Sequence, residues 1–427
     1  MKYTLLATAA ALLAAGACQS DDRAGDYYYG PNFGLGEVET EAPNFGAAWI
    51  YSFGERAAEM PHGDVHRLSD GSYSVLRMPG GNQMDLLRIS PEGVPMKTIS
   101  FEVPQTYTGC PFMPNEETFT ADASILSYGS FAFRVDLATG GIPWQRQLSG
   151  ALQHSPTGFW IVDYEAKGNT TVSRLDVATG QAVPALTLGS AYAGKVTDVR
   201  LIRERDEDRG ASFRGEAVTG ETDRILVSVH DGAAGTGTGA RFELFDIGGT
   251  APVWTRSVGA QTLFTPRTAV LDGAIVAAFG EQLVALDLET GERRWSTSLQ
   301  DGRQVDTSLP LLADADGGAL RLWDLRGGYH RIAAQTGAPL AYAADARNID
   351  VLSAEMLGSR YLLVASDDGE VALRDADDGS ALRSFRGVRS DYHAPVGTSY
   401  DADADRLVLA GRRGIYAVDA PATNVIE

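Results

Sequence analysis

One short motif recurs along the chain and limits what it can become. In Leu283 to Leu299, LVALDLETGERRWSTSL, an apolar strand-like run stops at Asp-Leu-Glu-Thr-Gly and restarts toward a tryptophan, with Asp287, Gly291 and Trp295 as its fixed points. FRVDLATGGIPWQRQL carries Asp136, Gly140 and Trp144 in the same register. SRLDVATGQAVPALTL carries Asp176 and Gly180 with Pro184 in the tryptophan slot, and ELFDIGGTAPVWTRSV carries Asp246 and Trp254 with Thr250 in place of glycine. ALRDADDGSALRSFRG supplies Asp375 and Gly379. Weaker copies put Ile89, Ala333 and Asp419 in the aspartate slot, and the first two keep Gly93 and Gly337.

The aligned positions 89, 136, 176, 246, 287, 333, 375 and 419 are separated by 47, 40, 70, 41, 46, 42 and 44 residues. Apart from the 70, these spacings match a four-stranded propeller blade. Helical repeats are excluded, because Val284, Leu286 and Leu288 alternate and Gly or Asp punctuates every few residues. The motif has a physical reason. An aspartate at a strand end accepts backbone N–H groups two or so residues on, and glycine supplies the positive φ of a tight turn. Tryptophan at the start of the next strand offers a large apolar area to bury between neighbouring repeats. Upstream of the motif, DGAIVAAFGEQLVALD, SRYLLVASDDGEVALRD and DRLVLAGRRGIYAVD repeat one plan of alternating strand, turn and motif strand.

The expected fold is therefore an all-β propeller of eight four-stranded antiparallel blades, or seven if the copy around Ile89 is not a blade. The last copy ends just after Asp419, one strand short, while GAAWIYSF near the start places Trp49 and Phe53 where Trp295 and Leu299 stand in the full copy. Residues about 47 to 54 are expected to complete the C-terminal blade and so remove an exposed sheet edge. A single domain then covers residues 47–427. The spacing of 70 marks an insertion within about 203–240, split between RERDEDRGASFRGEAVTGETD and the Gly-rich DGAAGTGTGA. A functional loop and a tolerated surface insertion both fit it.

The first residues, MKYTLLATAAALLAAGACQS, have a positive end, an apolar run and small residues before Cys18, the pattern of an export signal over residues 1–17. Ala15-Gly16-Ala17-Cys18 resembles a bacterial lipobox, with Ala15 where leucine is usual. Lipidation of Cys18 is the expectation, although Ala15-x-Ala17 also suits an ordinary signal peptidase. Cys110 is the one other cysteine, left unpaired by lipidation and otherwise able to bridge Cys18. Residues 18–46 read as an anchor and tether, poor in periodicity and rich in Gly, Asp, Glu and Pro. Within them Tyr27, Tyr28 and Tyr29 are either a recognition element or a spot that docks on the body. Lys and Arg number 36 against 56 Asp and Glu, a net charge of -20, so phosphate-bearing nucleic acid is not an expected partner. The local basic excess of Arg383, Arg386, Arg389, Arg406, Arg412 and Arg413 is read as solvated strand faces and turns.

Asp-x-x-Thr-Gly-x-x-x-Trp, as in Asp287 to Trp295 and Asp136 to Trp144, resembles the repeat of the pyrroloquinoline-quinone-type propeller superfamily. One branch, the quinoprotein dehydrogenases, typically carries a pair of adjacent cysteines at a quinone and calcium site; this chain has no such pair. The other branch is the outer-membrane lipoprotein of the β-barrel assembly machinery, eight-bladed and cofactor-free behind a lipidated cysteine. Length, signal and inferred blade count resemble that branch. It implies no cofactor, a protein scaffold facing the periplasm or cell surface, held to the membrane through the lipid alone, and envelope protein partners that include the barrel insertase. The propeller itself would be monomeric.

The rest of the sequence offers few groups arranged for chemistry. His62 and His66 in MPHGDVH have a metal-like spacing only on a helix, which Gly63 and the strand pattern oppose. Asp401, Asp403 and Asp405 in DADADR resemble the start of a calcium loop but lack its glycine at the sixth position and its acid at the twelfth. GAAGTGTGA lacks the Lys-Ser/Thr ending of a phosphate loop, and no GxSxG elbow occurs. The expectation is a non-catalytic exported scaffold with no metal site. The alternative is a periplasmic enzyme or small-ligand binder using the axial funnel.

Overall fold

The computed structural model describes residues 48–419, except 53–59, 103–115, 203–223, 231–239, 259–266, 345–350, 387–396 and shorter connections of one to four residues. Eight four-stranded antiparallel sheets form a ring, a β-propeller. Blade 1 spans 60–102, blade 2 116–147, blade 3 151–188, blade 4 196–257, blade 5 267–298, blade 6 312–343 and blade 7 351–386. In each, four consecutive strands pair in chain order, so every connection within a blade is a local hairpin. The segment around Ile89 is a complete blade, which makes the number eight. The first strands of neighbouring blades lie against one another, as Met60–Arg67 does against Gly397–Asp401, and so face the ring axis.

Blade 8 is built from both ends of the chain. Its inner three strands are Gly397–Asp401, Arg406–Gly411 and Gly414–Asp419, and its outer strand is Trp49–Ser52. Trp49 pairs with Ala417 and Ser52 with Gly414, and the Ala48 amide donates to the Ala417 carbonyl at 2.7 Å. The ring is therefore closed by the N-terminal strand, as the truncated last repeat required. Closure leaves no inner strand without a neighbour.

The core is divided rather than central. Eight apolar clusters are found among the described residues, each built from the facing sides of two adjacent blades. This changes the strand pattern read from the sequence. Ala274–Phe279, AIVAAF, is buried along its whole length, as is Tyr361–Ser366, YLLVAS, because a middle strand has a blade against each face. Both faces being dry, alternation is lost and small residues such as Ala277 and Ala278 let the sheets approach. Outer strands recover the polar character: Arg293–Ser298 buries Trp295 and exposes most of the rest. The long spacing before Asp246 falls on two connections of blade 4, with the strand Arg224–His230 between them. Residues 203–223 and 231–239 themselves lie outside the described residues, as do the signal, Cys18, the tether with Tyr27 to Tyr29, and Cys110. Among the described residues no helix is long and apolar enough to cross a membrane.

Candidate functional site at the blade junctions

Each motif turn is tied by its own aspartate. Asp287 Oδ1 accepts from the Glu289 amide at 3.1 Å, the Thr290 amide at 2.9 Å and Thr290 Oγ1 at 3.0 Å, and Thr290 Oγ1 in turn accepts from the Glu292 amide. Asp136 repeats the arrangement with Ala138 and Thr139, and Asp176 with Thr179. Such donors stabilise the carboxylate. Arg294, bonded to Asp287 Oδ2 at 2.8 Å, does most to bring the pKa of Asp287 down to about 2. The Thr139 hydroxyl first, and then its amide, lower that of Asp136; the Thr179 amide leads at Asp176. Asp375 is bonded by the Asp377 amide at 2.7 Å, and Asp246 pairs with Arg224 at 3.3 Å.

At four junctions the glycine of the turn receives a tryptophan side chain from the preceding blade. Gly291 has φ +66°, and a Cβ placed there would stand 2.6 Å from the ring of Trp254, so only glycine fits. The indole Nε1 of Trp254 donates to Leu288 O at 2.9 Å in the same turn. Trp144 meets Gly180 and Val177 O in the same way, Trp295 meets Gly337 and Ala334 O, and Trp49 meets Gly93 and Pro91 O. The last contact spans blades 8 and 1, so ring closure uses the same clamp as three other junctions of the ring. Two arginines that sequence reasoning passed over add a second prong: Arg146 donates to Gly180 O at 2.9 Å and Arg256 to Gly291 O at 2.8 Å. The signal available for them was their place two residues after the tryptophan.

Among the described residues, three junctions depart from this plan. At blades 1 and 2, Ile99 lies on Gly140 and Lys97 Nζ donates to Ala138 O at 2.5 Å. At blades 6 and 7 the outer strand has no tryptophan, and Tyr329 from the third strand lies on Gly379 while its hydroxyl donates to Ala376 O at 2.6 Å. Arg321, fully buried, donates from Nε to the same carbonyl and pairs with Asp314. At blades 3 and 4, where Pro184 fills the tryptophan slot, the turn after Asp246 is held instead by the Gly248 amide on Ala185 O at 2.9 Å.

A buried polar cluster in blade 6 was not flagged by the sequence reading. Asp324 follows the second strand, Ala319–Trp323, His330 lies on the third, Tyr342 on the outer strand, and Arg303 precedes the inner one. Asp324 Oδ2 accepts from Arg303 Nη1 at 2.8 Å and lies 2.9 Å from His330 Nε2, while Oδ1 accepts from the Arg326 and Gly328 amides. Burial works to raise the Asp324 pKa, but the bonds from His330, Arg303 and the two amides prevail and hold it well below the usual carboxylate range. Tyr342 packs on both side chains, 4.8 Å from the His330 ring and 5.0 Å from the Arg303 guanidinium carbon. The pair resembles a catalytic dyad in composition. Its geometry is that of a staple: four donors meet one inaccessible carboxylate and tie four segments of one blade together.

Those of the other sequence candidates that the structure describes are likewise committed to neighbours. Met60–Arg67, which contains His62 and His66, is a strand, as Gly63 and the pattern indicated. Burial lowers the His66 pKa to about 4; the His62 side chain lies outside the described residues. Asp401 pairs with Arg67 at 3.1 Å and accepts from Tyr73 Oη at 3.3 Å, and Asp405 accepts from the Tyr400 hydroxyl. Asp403, Arg389, Arg412 and Arg413 lie outside the described residues, as does the Arg386 side chain. Of the remaining basic residues, Arg406 pairs with Asp419 and Arg383 lies over the Phe385 ring. Facing the axis, Arg200 on the inner strand of blade 4 donates to Thr268 O of blade 5, and Arg267 of blade 5 donates to Thr307 O at 2.6 Å.

Residues 211–385, from blade 4 through blade 7, match the family model PQQ_2, described as outer membrane protein assembly factor BamB. Over those residues the repeat is similar to the pyrroloquinoline-quinone type. No curated protein matches the chain at a significant level. Among solved structures, Saccharomyces cerevisiae Sqt1 is 10% identical, covering 86% of this chain and 98% of that one, at a TM-score of 0.59. The C-terminal WD40 domain of Sif2 is 10% identical, with 87% and 99% covered and a TM-score of 0.56. At such identity both speak to the propeller fold alone. BamB from Moraxella catarrhalis is 17% identical, with 72% and 81% covered and a TM-score of 0.42.

Proposed function

We propose that this chain is a non-catalytic cell-envelope scaffold that presents propeller surfaces to protein partners in outer-membrane protein assembly. The observation that carries the reading is the match of residues 211–385 to the assembly-factor family. Two features support it. The residues shaped like chemistry, Asp324 with His330 and Asp401 with Arg67, are engaged inside or between blades, where they stiffen the ring. A rigid closed ring leaves its turns and outer strands free to be varied for recognition. On this reading the export signal and Cys18 place the ring behind a lipid anchor at the outer membrane, and the barrel insertase is the partner to look for.

The test is affinity purification of the tagged full-length protein from gently solubilised native membranes, with mass spectrometry of co-purifying proteins and of the mature N-terminus. A barrel insertase recovered with diacylated Cys18 is the expected result. A partnerless protein with an unmodified N-terminus would overturn the reading and turn attention to the axial funnel.

A further inference from the structure

We propose that blades 1 and 2 bind a water molecule between them, held by the hydroxyls of Ser74 and Ser124, and that it ties these two blades where the tryptophan clamp is missing. Strand pairing sets the place. Just inside each motif turn, the second strand of a blade turns one residue toward the preceding blade and the next toward the following one. Ser124, opposite Val135 and beside the turn of Asp136, faces back to blade 1, and Ser74, the residue after Tyr73, faces forward to blade 2. Residues two apart on a strand share a face, and Leu76 and Leu126, two positions on, meet in the apolar cluster of this junction. Tyr73 and Ile125 pack instead in the clusters on the far sides of the two blades. Both serines are fully buried.

Elsewhere this level is packed with large side chains. Ile125 joins Phe159 between blades 2 and 3, Leu226 joins Ile275 between blades 4 and 5, and Leu363 joins Leu407 between blades 7 and 8. The other junctions likewise put at least one large residue there. The serine pair is smaller than the leucine pair by about four heavy atoms, in an interior that otherwise packs as densely as an organic crystal. A water takes up about 30 Å³ and needs at least two polar partners. Two facing hydroxyls supply them: stacked sheets lie about 10 Å apart, and between two seryl oxygens this leaves about the span of two O–H···O bonds of about 2.8 Å. Neither hydroxyl has a hydrogen-bond partner among the described residues, and a buried hydroxyl without one is costly.

The surroundings favour a neutral ligand. Arg88, cross-strand from Ser74, has its charge met by Asp70 at 2.6 Å. His66, across from Ser74 on the first strand, is held neutral by desolvation, which lowers its pKa to about 4. An anion buried there would have no unmatched charge to offset its loss of solvation. The bond also has a place in the ring: at this junction Ile99 rather than an indole lies on the turn glycine, Gly140, so no indole N–H reaches across. The proposal stands apart from the assembly reading, since it requires neither a partner nor a lipid.

Crystallography and denaturant unfolding of the full mature chain test it together. A crystal structure of the native protein is expected to show one ordered oxygen within hydrogen-bond distance of both seryl oxygens. Ser74→Ala and Ser124→Ala should each lower the folding equilibrium constant about fivefold. The double variant should lower it by less than the product of the two, because both hydroxyls share one water. A constant that stays level or rises in the single variants would show hydroxyls unsatisfied in a dry gap and overturn the proposal. So would electron density that sets the two seryl oxygens directly against each other, or effects of the two substitutions that simply multiply. Stability that rises with chloride at constant ionic strength would assign the site to an anion and overturn it too.

Discussion

Replacing Gly291 by alanine tests whether the blades are held by the fit of an indole against a Cβ-less turn. Two costs apply at this position. Its φ of +66° is left-handed, and an L-residue there costs about 1–2 kcal/mol. The new methyl would also stand 2.6 to 3.0 Å from three atoms of the Trp254 ring, an overpacking worth about 1–3 kcal/mol. Gly248 separates the two costs. It has φ +78° and nothing within 4 Å of an added Cβ, so Gly248→Ala carries the backbone cost of about 1–2 kcal/mol alone. Thermal unfolding reads the difference. With an unfolding entropy of roughly 0.8 kcal/mol per degree for a ring of this size, Gly291→Ala should lower Tm by about 3–6 °C and Gly248→Ala by about 1–2 °C.

A double-mutant cycle makes the argument specific to the junction. Trp254→Ala alone should cost about 3–5 kcal/mol through the cavity it leaves, together with the bond from its indole to Leu288 O. Without the ring in its way, the alanine at 291 meets no obstacle and its cost falls to the backbone part. The two substitutions should therefore couple by about 1–3 kcal/mol. Denaturant unfolding at constant m-value is the assay. An additive cycle, or a Gly291→Ala cost equal to that of Gly248→Ala, would refute the claim that the clamp joins the blades.

Other outcomes follow from the same contacts. Asp324→Ala strands Arg303 and His330 without their carboxylate and should cost about 3–5 kcal/mol in urea unfolding, against a smaller loss for Asp324→Asn. The folded pKa of His66 is about 4 against an ordinary 6.5. The unfolded chain then binds more protons between those values, so stability falls as pH drops from 6.5 toward 4, and His66→Gln should flatten that slope in a pH series of melting temperatures. Asp287, at about 2 against 3.8, contributes stability that is present above pH 4 and lost as pH falls toward 2; Asp287→Asn should remove that share of the acid sensitivity. Trp49→Ala weakens the clamp that closes the ring and should lower Tm and raise aggregation on heating, because loss of the closing strand exposes the edge of Gly414–Asp419.

The repeat was legible because turn chemistry is local. An aspartate, a threonine and a positive-φ glycine within five residues make a turn wherever they occur, so spacing alone located the blades and the missing last strand. What binds blade to blade is not local, and the motif has to be read diagonally. Trp254 belongs to one repeat and Gly291, its seat, to the next. This explains departures that look random when each repeat is read by itself. Gly337 persists where the aspartate has become Ala333, because Trp295 still needs the space. Thr250 can replace glycine in blade 4, because blade 3 has Pro184 in the tryptophan slot and the Gly248 amide holds the turn on Ala185 O. Gly379 is kept although the outer strand of blade 6 has no tryptophan, since Tyr329 arrives from another strand. The Asp324 cluster was harder to see. Its members stand at 303, 324, 330 and 342 and meet only once four segments of the blade are paired. A trace of it was nonetheless present, because Asp324-Leu-Arg-Gly-Gly is an aspartate and glycine turn like the motif, placed between the second and third strands and therefore at the opposite edge of the blade. A second aspartate turn out of register with the ladder thus marks a place where the sequence is holding something other than the next blade.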